Sequence, residues 1–292
     1  MSTSADRAAA VRALLRTERG AFASRLLGRA APGVRARVLE VLRWQRRIDE
    51  TLAGQLDRPL DRLDPEVRAV LRLGLAEAET MGVPPAVAVD GAVHLVRRLG
   101  KGSAAGLVNA VLRRAVRSWD ALDRDGGPPD LVLSHPAWLW RRWLARFGLE
   151  AVASMRADQT PAPVWAWWLD EDALEELKGQ NAWVKPHPWC PGAWTAPGPV
   201  LPREAAAGRA YIQDPASQLA AHLAASFAGG ERATLAALCA APGGKVALAA
   251  RHARWARLVA GDLHPGRARH LAFLLGRVTD APVAVWDAAR PP

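Results

Sequence analysis

Seven consecutive residues, Cys239-Ala240-Ala241-Pro242-Gly243-Gly244-Lys245, stand where a short apolar run gives way to a helical pattern. Glycine at such a junction lets the backbone approach a ligand, and the helix start offers unbonded N–H groups. The run lacks the GxxxxGK[ST] spacing of a Walker loop and the GxGxxG spacing of a dinucleotide fold. Asp262 follows the next apolar run, 18 positions after Gly244. An acid at that place accepts hydrogen bonds from ribose hydroxyls. Asp287 follows a third apolar run, at the same edge of the sheet the three runs would build. Alone, a Gly-Gly pair is usually a plain turn, and an Asp after a strand is usually a helix cap. Together, at successive strand ends, they define a site for an adenosine-bearing ligand.

Other reactive side chains are sparse. The two cysteines, Cys190 and Cys239, exclude a disulfide framework and a four-cysteine zinc site. Cys190 lies in a proline-rich stretch, Trp189-Cys190-Pro191-Gly192, without a nucleophile motif. His264 and His270 are not spaced as ligands on one helix face and no acid completes a set, so no metal is expected. Arg113, Arg114 and Arg117 cluster at the end of a predicted helix. They suit RNA phosphates, and equally an ordinary solvated helix end where cations meet the negative end of the dipole.

Three strands must position the glycine turn and the two acids. Leu235–Leu238, Leu258–Ala260 and Pro282–Trp286 read as strands, with helices over about 245–253 and 265–275 between them. Strand–helix–strand–helix–strand predicts a parallel, doubly wound sheet, and three strands do not complete one, which leaves the third with an open edge. A helix over 215–227 precedes them. The first ~120 residues read as a bundle of five or six helices. Asp64-Pro65-Glu66 is a strong helix start, a capping carboxylate followed by proline at the first helical position. Val67, Val70, Leu71, Gly74 and Ala78 then share a face, with Arg68, Arg72 and Glu79 outside. Pro84-Pro85 opens the next helix and a further one begins near Ser103, while 7–28 and 33–55 carry similar patterns. Residues 123–129 read as a linker and 136–157 as a short helical piece. Val164–Leu169 reads as a strand, 171–179 as a helix, and Lys185–Pro202, with six prolines, as loop.

The chain of 292 residues has a net charge of +10. Residues 1–150 hold 25 basic against 17 acidic side chains, and residues 151–292 hold 14 against 12. A basic front half is the footprint of a nucleic-acid binder, although an arginine-rich, lysine-poor chain also reflects genomic base composition. No apolar run reaches the roughly 18 residues of a membrane span and the first residues lack a signal-peptide core, so a cytoplasmic protein is expected.

Cys239–Lys245, preceded by Tyr211-Ile212-Gln213-Asp214-Pro215-Ala216-Ser217, resembles the signature of the RNA 5-methylcytosine methyltransferases of the bacterial Sun (Fmu) and eukaryotic nucleolar Nop type. The front resembles the NusB-like RNA-binding domain fused to the bacterial member that modifies small-subunit ribosomal RNA. The matching segments are Met81–Pro85, Leu107–Arg114 and Ser134-His135-Pro136. The likeness covers most of 7–146 and 209–292. It implies an all-α NusB-like domain over 1–125, and a linker with a shortened ferredoxin-like segment over 126–205. It implies the N-terminal part of a Rossmann-like methyltransferase domain over 206–292.

The resemblance further implies S-adenosyl-L-methionine as cofactor. Cys239, Ala240, Ala241, Pro242, Gly243, Gly244 and Lys245 would wrap its methionine and ribose end, with Asp262 on the ribose and Asp287 near the adenine. In the family chemistry a cysteine thiolate adds to the carbon next to the methyl acceptor of cytosine, which makes the ring electron-rich. The base must first leave its stack. The family's Asp-Ala-Pro-Cys and Thr-Cys motifs lie beyond the third strand, so no catalytic residue is assigned and a truncated, inactive chain is expected. Cys239 belongs to the cofactor turn. The middle segment departs from the family too, with Trp167-Trp168-Leu169 where an Arg-Val-Asn strand start is usual. Tryptophans there would pack in a core or stack on RNA bases. Two functions stay in play: an RNA cytosine methyltransferase, and a non-catalytic NusB-like RNA-binding or transcription-associated protein with a relic enzyme half. A small-molecule methyltransferase fits the basic front poorly. The oligomeric state is left open.

Overall fold

The computed structural model describes residues 4–180, 183–228 and 232–290. The chain divides into two compact units, Met1–Pro161 and Ala162–Pro292.

The first unit is helical. It runs α1 (Ser4–Glu18), α2 (Ala23–Leu27), α3 (Pro32–Ala53), α4 (Pro65–Glu79), α5 (Pro85–Arg98) and α6 (Ala105–Ser118). The short helices α7 (Ala121–Arg124), α8 (Pro129–Val132), α9 (Ala137–Phe147) and α10 (Glu150–Asp158) follow. The stretch 7–28 is therefore two helices, broken at Gly20, whose φ of 90° no helix accepts. Asp64 caps α4 as its sequence demands, accepting from the Glu66 N–H at 3.0 Å. Yet α4 is not a one-faced helix. Val67, Ala69, Val70, Leu71, Leu73, Gly74, Leu75, Ala76 and Glu77 are all buried, so it is the central rod around which the others pack. Gly74 has no room for a side chain: a β-carbon there would lie 2.8 Å from Leu112 of α6 and 3.1 Å from Ala92 of α5. Each fully buried Leu or Val of α4 stabilises the unit by about 1.5–3 kcal/mol.

Burial of Glu77 works against that gain, and two arginines offset it. Glu77 is 1% exposed and meets Arg37 of α3 at 2.7 Å and Arg7 of α1 at 2.8 Å. An unpaired carboxylate in this position would cost several kcal/mol.

The second unit is mixed. An antiparallel sheet of order β2-β3-β1-β4 is built from β1 (Ala166–Trp168), β2 (Lys185–Pro186), β3 (Trp194–Thr195) and β4 (Ala210–Ile212). Between them lie α11 (Glu171–Gly179) and α12 (Val200–Ala206), and α13 (Pro215–Ser226) follows. The stretch 185–202, loop in the sequence reading, thus holds two short strands and a helix start. Proline misleads here for two reasons. Pro186 sits on the edge strand β2, and Pro202 in the first turn of α12, where neither removes a needed N–H donor.

The parallel sheet has order β5-β6-β7, from β5 (Thr234–Ala237), β6 (Arg257–Asp262) and β7 (Val283–Val285), with α14 (Gly244–His252) and α15 (Pro265–Leu275) as crossovers. The register pairs Ala237 with Ala260, and Asp262 with Val285. Among the described strands the order never reverses, so the winding runs one way. The reversal that a doubly wound sheet requires would fall on the free edge of β5. Leu248, Ala260, Leu271, Leu274 and Leu275 form the core between strands and helices, with Trp167 packed against them.

Candidate cofactor cleft

The turn from β5 to α14 carries Cys239–Lys245. Ala240 donates its N–H to the Gly261 carbonyl at 2.9 Å, which ties the turn to β6. Gly243 has φ 113°, and a β-carbon there would come within 2.9 Å of Leu271 and 3.1 Å of Leu274. At Gly244 a β-carbon would lie 2.5 Å from Tyr211 and 3.2 Å from Gln213. The glycines are thus dictated by close packing, in addition to the backbone access that the sequence suggested. Gly243 precedes α14 in a left-handed conformation and caps it with no side chain; the Gly244 N–H meets the Tyr211 hydroxyl, and the N–H groups of Lys245 and Val246 face no cap.

A cleft of about 310 Å³ opens beside this turn. All seven residues Cys239–Lys245 line it, and Tyr211, Ile212, Gln213 and Ser217 form the facing wall. These wall residues belong to the Tyr-Ile-Gln-Asp-Pro-Ala-Ser stretch, which sequence reading recognised as a motif without assigning it a surface. Its local fold explains the placement. Tyr211 and Ile212 end β4, and Asp214 caps α13 by accepting from the Ala216 N–H at 2.8 Å. Gln213 is held at that junction: its Oε1 accepts from Trp167 Nε1 at 2.7 Å, and its carbonyl accepts from Gln218 Nε2 at 2.9 Å. Burial pushes the Tyr211 hydroxyl pKa up, against a hydrogen bond from the Gly244 backbone.

The two predicted acids end the neighbouring strands and stand outside the lining of this cleft. Asp262 closes β6, is 6% exposed, and accepts from the His264 N–H at 3.2 Å. Asp287 lies two residues past β7, is exposed, and accepts from the Ala289 N–H at 2.9 Å. Trp286 holds the strand ends in register. Its Nε1 donates to the Leu238 carbonyl at 2.8 Å, and its ring lies so near Gly261 that a β-carbon there would come 2.4 Å away.

Cys239 is exposed on the turn and Cys190 is buried, its thiol directed to the Pro215 carbonyl at 3.5 Å. Burial, then the Asp214 carboxylate, push the Cys190 pKa up, the opposite of what a nucleophilic thiol needs. Arg113, Arg114 and Arg117 are all exposed at the end of α6, in the other unit. Arg113 bonds Asn109 one turn back, and Arg114 donates to the Gln55 carbonyl. Among the described residues no group of three or more His, Cys, Asp or Glu could hold a metal. No described helix is long and apolar enough to cross a membrane.

A helical unit followed by a parallel α/β unit with a glycine-rich first turn is the class that this fold and site define. Residues 4–117 match the NusB family model. Over 265 residues the chain is 31% identical to the ribosomal RNA small subunit methyltransferase B of Xylella fastidiosa (strain 9a5c), covering 87% of this chain and 61% of the relative. The enzyme of the same name from Thermus thermophilus is 36% identical over 233 residues, covering 76% and 52%. The transcription antitermination protein NusB of Halorhodospira halophila is 46% identical over 68 residues, covering 23% of this chain and 44% of that protein. Among solved structures, PH0851 matches with a TM-score of 0.67 at 16% identity, covering 100% of this chain and 71% of that one; it shares the fold. The chain thus begins with a NusB-family domain and is homologous over most of its length to ribosomal RNA small subunit methyltransferase B. It spans about three fifths of the length of the first of these curated relatives.

Proposed function

We propose that this chain carries the RNA-engaging and cofactor-binding portions of an S-adenosylmethionine-dependent RNA methyltransferase that acts on carbon five of cytosine in small-subunit ribosomal RNA. The observation that carries the reading is the convergence of Tyr211-Ile212-Gln213 and Cys239–Lys245 on one cleft at the C-terminal end of a parallel strand. The homology to methyltransferases of ribosomal RNA supports it.

The residues present suit the cofactor. The uncapped start of α14 offers N–H donors for a carboxylate, and Asp262 offers a buried acceptor for ribose hydroxyls. In this reading Cys239–Lys245 hold the methionine and ribose end, and Asp287 stands near the adenine. Bound, the cofactor supplies an electrophilic methyl group on a sulfonium. The chain's own contribution is to fix that group and exclude water from one side of it. Residues 1–125 engage RNA, with Arg113, Arg114 and Arg117 on phosphates; 126–205 connect; 206–292 hold the cofactor. Work on ribosomal RNA would place the protein in the cytoplasm.

We assign no nucleophile within residues 4–290, since Cys190 is buried and bonded and Cys239 sits on the cofactor turn. That placement favours a second reading for these residues by themselves: an RNA-binding protein with a cofactor cleft that does not complete methyl transfer. Calorimetric titration of the chain with S-adenosylmethionine, beside a Gly243→Val control, tests the first claim. Saturable binding lost in the control supports it, and no binding by a folded chain sinks it. Transfer of labelled methyl to small-subunit ribosomal RNA then separates the two readings.

A further inference from the structure

The three tryptophans of Trp165-Ala166-Trp167-Trp168 divide between two environments. Trp167 and Trp168 are 2% and 4% exposed and belong to the core. Trp165 is only half-buried and stands at the head of an aromatic row. Its ring meets that of His187 at 4.6 Å between centroids, and His187 meets Trp189 at 4.3 Å. Both contacts are edge-to-face. Trp189 is 64% exposed.

An exposed tryptophan on a slack loop would signify little. This loop is not slack. The His187 N–H donates to the Ala193 carbonyl at 2.8 Å, which closes the turn on itself. Cys190, next to Trp189, is 1% exposed and bonds the Pro215 carbonyl. His222 of α13 meets the Pro191 carbonyl at 2.9 Å. The loop is pinned on both sides of Trp189 while the indole points away from the core. Holding a large apolar ring in water on a fixed backbone forgoes burial that a ligand would supply.

The row also leads to the cleft. Gln213, which lines it, donates its N–H to the Trp165 carbonyl at 2.9 Å, and Ile212, also lining it, pairs with Ala166. Ile212 is itself 45% exposed. From Leu177 to Arg203 the sequence has three basic residues and no acid, and the Asp214 carboxylate stands near Cys190.

We infer that Trp165, His187 and Trp189 form a stacking platform for unpaired nucleotides of the RNA substrate, next to the cofactor cleft. The inference rests on the methyltransferase reading, and supplies what that reading lacked in this unit: a surface that holds RNA close to the cleft. Every base has a π-face, so the platform accepts single strands with little regard to sequence and excludes duplex, whose bases are already stacked.

The test uses the full chain, a 12-nucleotide unpaired RNA, and the same RNA annealed to its complement. Trp189→Ala should weaken single-strand binding by about five-fold to a hundred-fold, and Trp189→Phe should restore most of it. Trp189 is exposed and cleft residues are untouched, so S-adenosylmethionine affinity and the melting temperature should stay the same in both variants. Unchanged RNA affinity in Trp189→Ala overturns the platform, as does equal or tighter binding of duplex, or a loss that Trp189→Phe does not repair. Failure of the parent chain to bind S-adenosylmethionine is a separate result: it removes the methyltransferase reading and leaves the stacking measurement to stand or fall on its own.

Discussion

Tyr211 and Gly244 are in such close contact that residue 244 cannot carry a side chain: a β-carbon would lie 2.5 Å from the Tyr211 ring. This contact fastens the end of β4 to the start of α14, and so sets the width of the cleft. Gly244→Ala should displace Tyr211 and Gln213, destabilise the second unit by about 1–3 kcal/mol, and weaken S-adenosylmethionine binding by about ten-fold or more. Adding Tyr211→Ala should return part of the stability. Chemical denaturation of the single and double variants measures the coupling, and strictly additive losses would contradict the contact.

Asp262 offers a charged acceptor at the end of β6. Asp262→Asn keeps an oxygen for the His264 N–H and removes the charge. Stability should change little, while affinity for S-adenosylmethionine should fall by about ten-fold to a hundred-fold, as expected for a lost charge-assisted hydrogen bond. Asp287→Asn should have a smaller effect, because Asp287 is exposed and its carboxylate already caps its own turn. Calorimetric titration ranks the two, and an unaffected Asp262→Asn would remove that residue from the cofactor site.

The sequence displays the parallel strands well because each is a short apolar run bounded by a turn, and the second is followed by a helix with its own start signal, Pro265. It displays the facing wall of the cleft less well. Tyr211, Gln213 and Ser217 carry no special chemistry, and the packing of β4 and α13 against the start of α14 brings them to the turn, a contact between distant segments that no local pattern encodes. For the same reason Glu77 passed unnoticed. Charged residues inside helices are normally solvated, and its two partners stand 40 and 70 positions away. The tryptophan run was open to two readings, and its alternation decided little because β1 is buried over all three of its residues.

Glu77 should be the most sensitive charged position of the helical unit. Glu77→Gln removes the carboxylate that Arg7 and Arg37 share. The expected cost is about 3–5 kcal/mol, read from urea unfolding followed by helical circular dichroism. A cost below about 1 kcal/mol would show that the triad contributes little.

Asp64 links the start of α4 to Lys101 at 2.5 Å. The hydrogen bond from Lys101, aided by the Glu66 contacts and opposed by desolvation, lowers its pKa to about 2 from an ordinary 3.8. The depressed value means that the folded state favours the charged form. The contribution is therefore complete above about pH 4 and is lost as the pH falls through 2. Between those values the melting temperature of the parent should drop more steeply than that of Asp64→Asn. Parallel curves would remove Asp64 from the acid response.

Arg7 reaches Glu77 by passing over Gly91 of α5, where a β-carbon would sit 2.3 Å from its guanidinium. A glycine in mid-helix costs roughly 0.5–1 kcal/mol, and here it leaves a passage for a side chain that enters from the opening helix. For anyone choosing gene boundaries, this fixes the N-terminal limit. A helical unit started after residue 7 would lose more than a few peripheral turns: it would withdraw a bolt from its slot and leave the buried Glu77 with one of its two arginine partners. Limited proteolysis that clips α1 should for the same reason loosen the whole bundle and not merely its first helix.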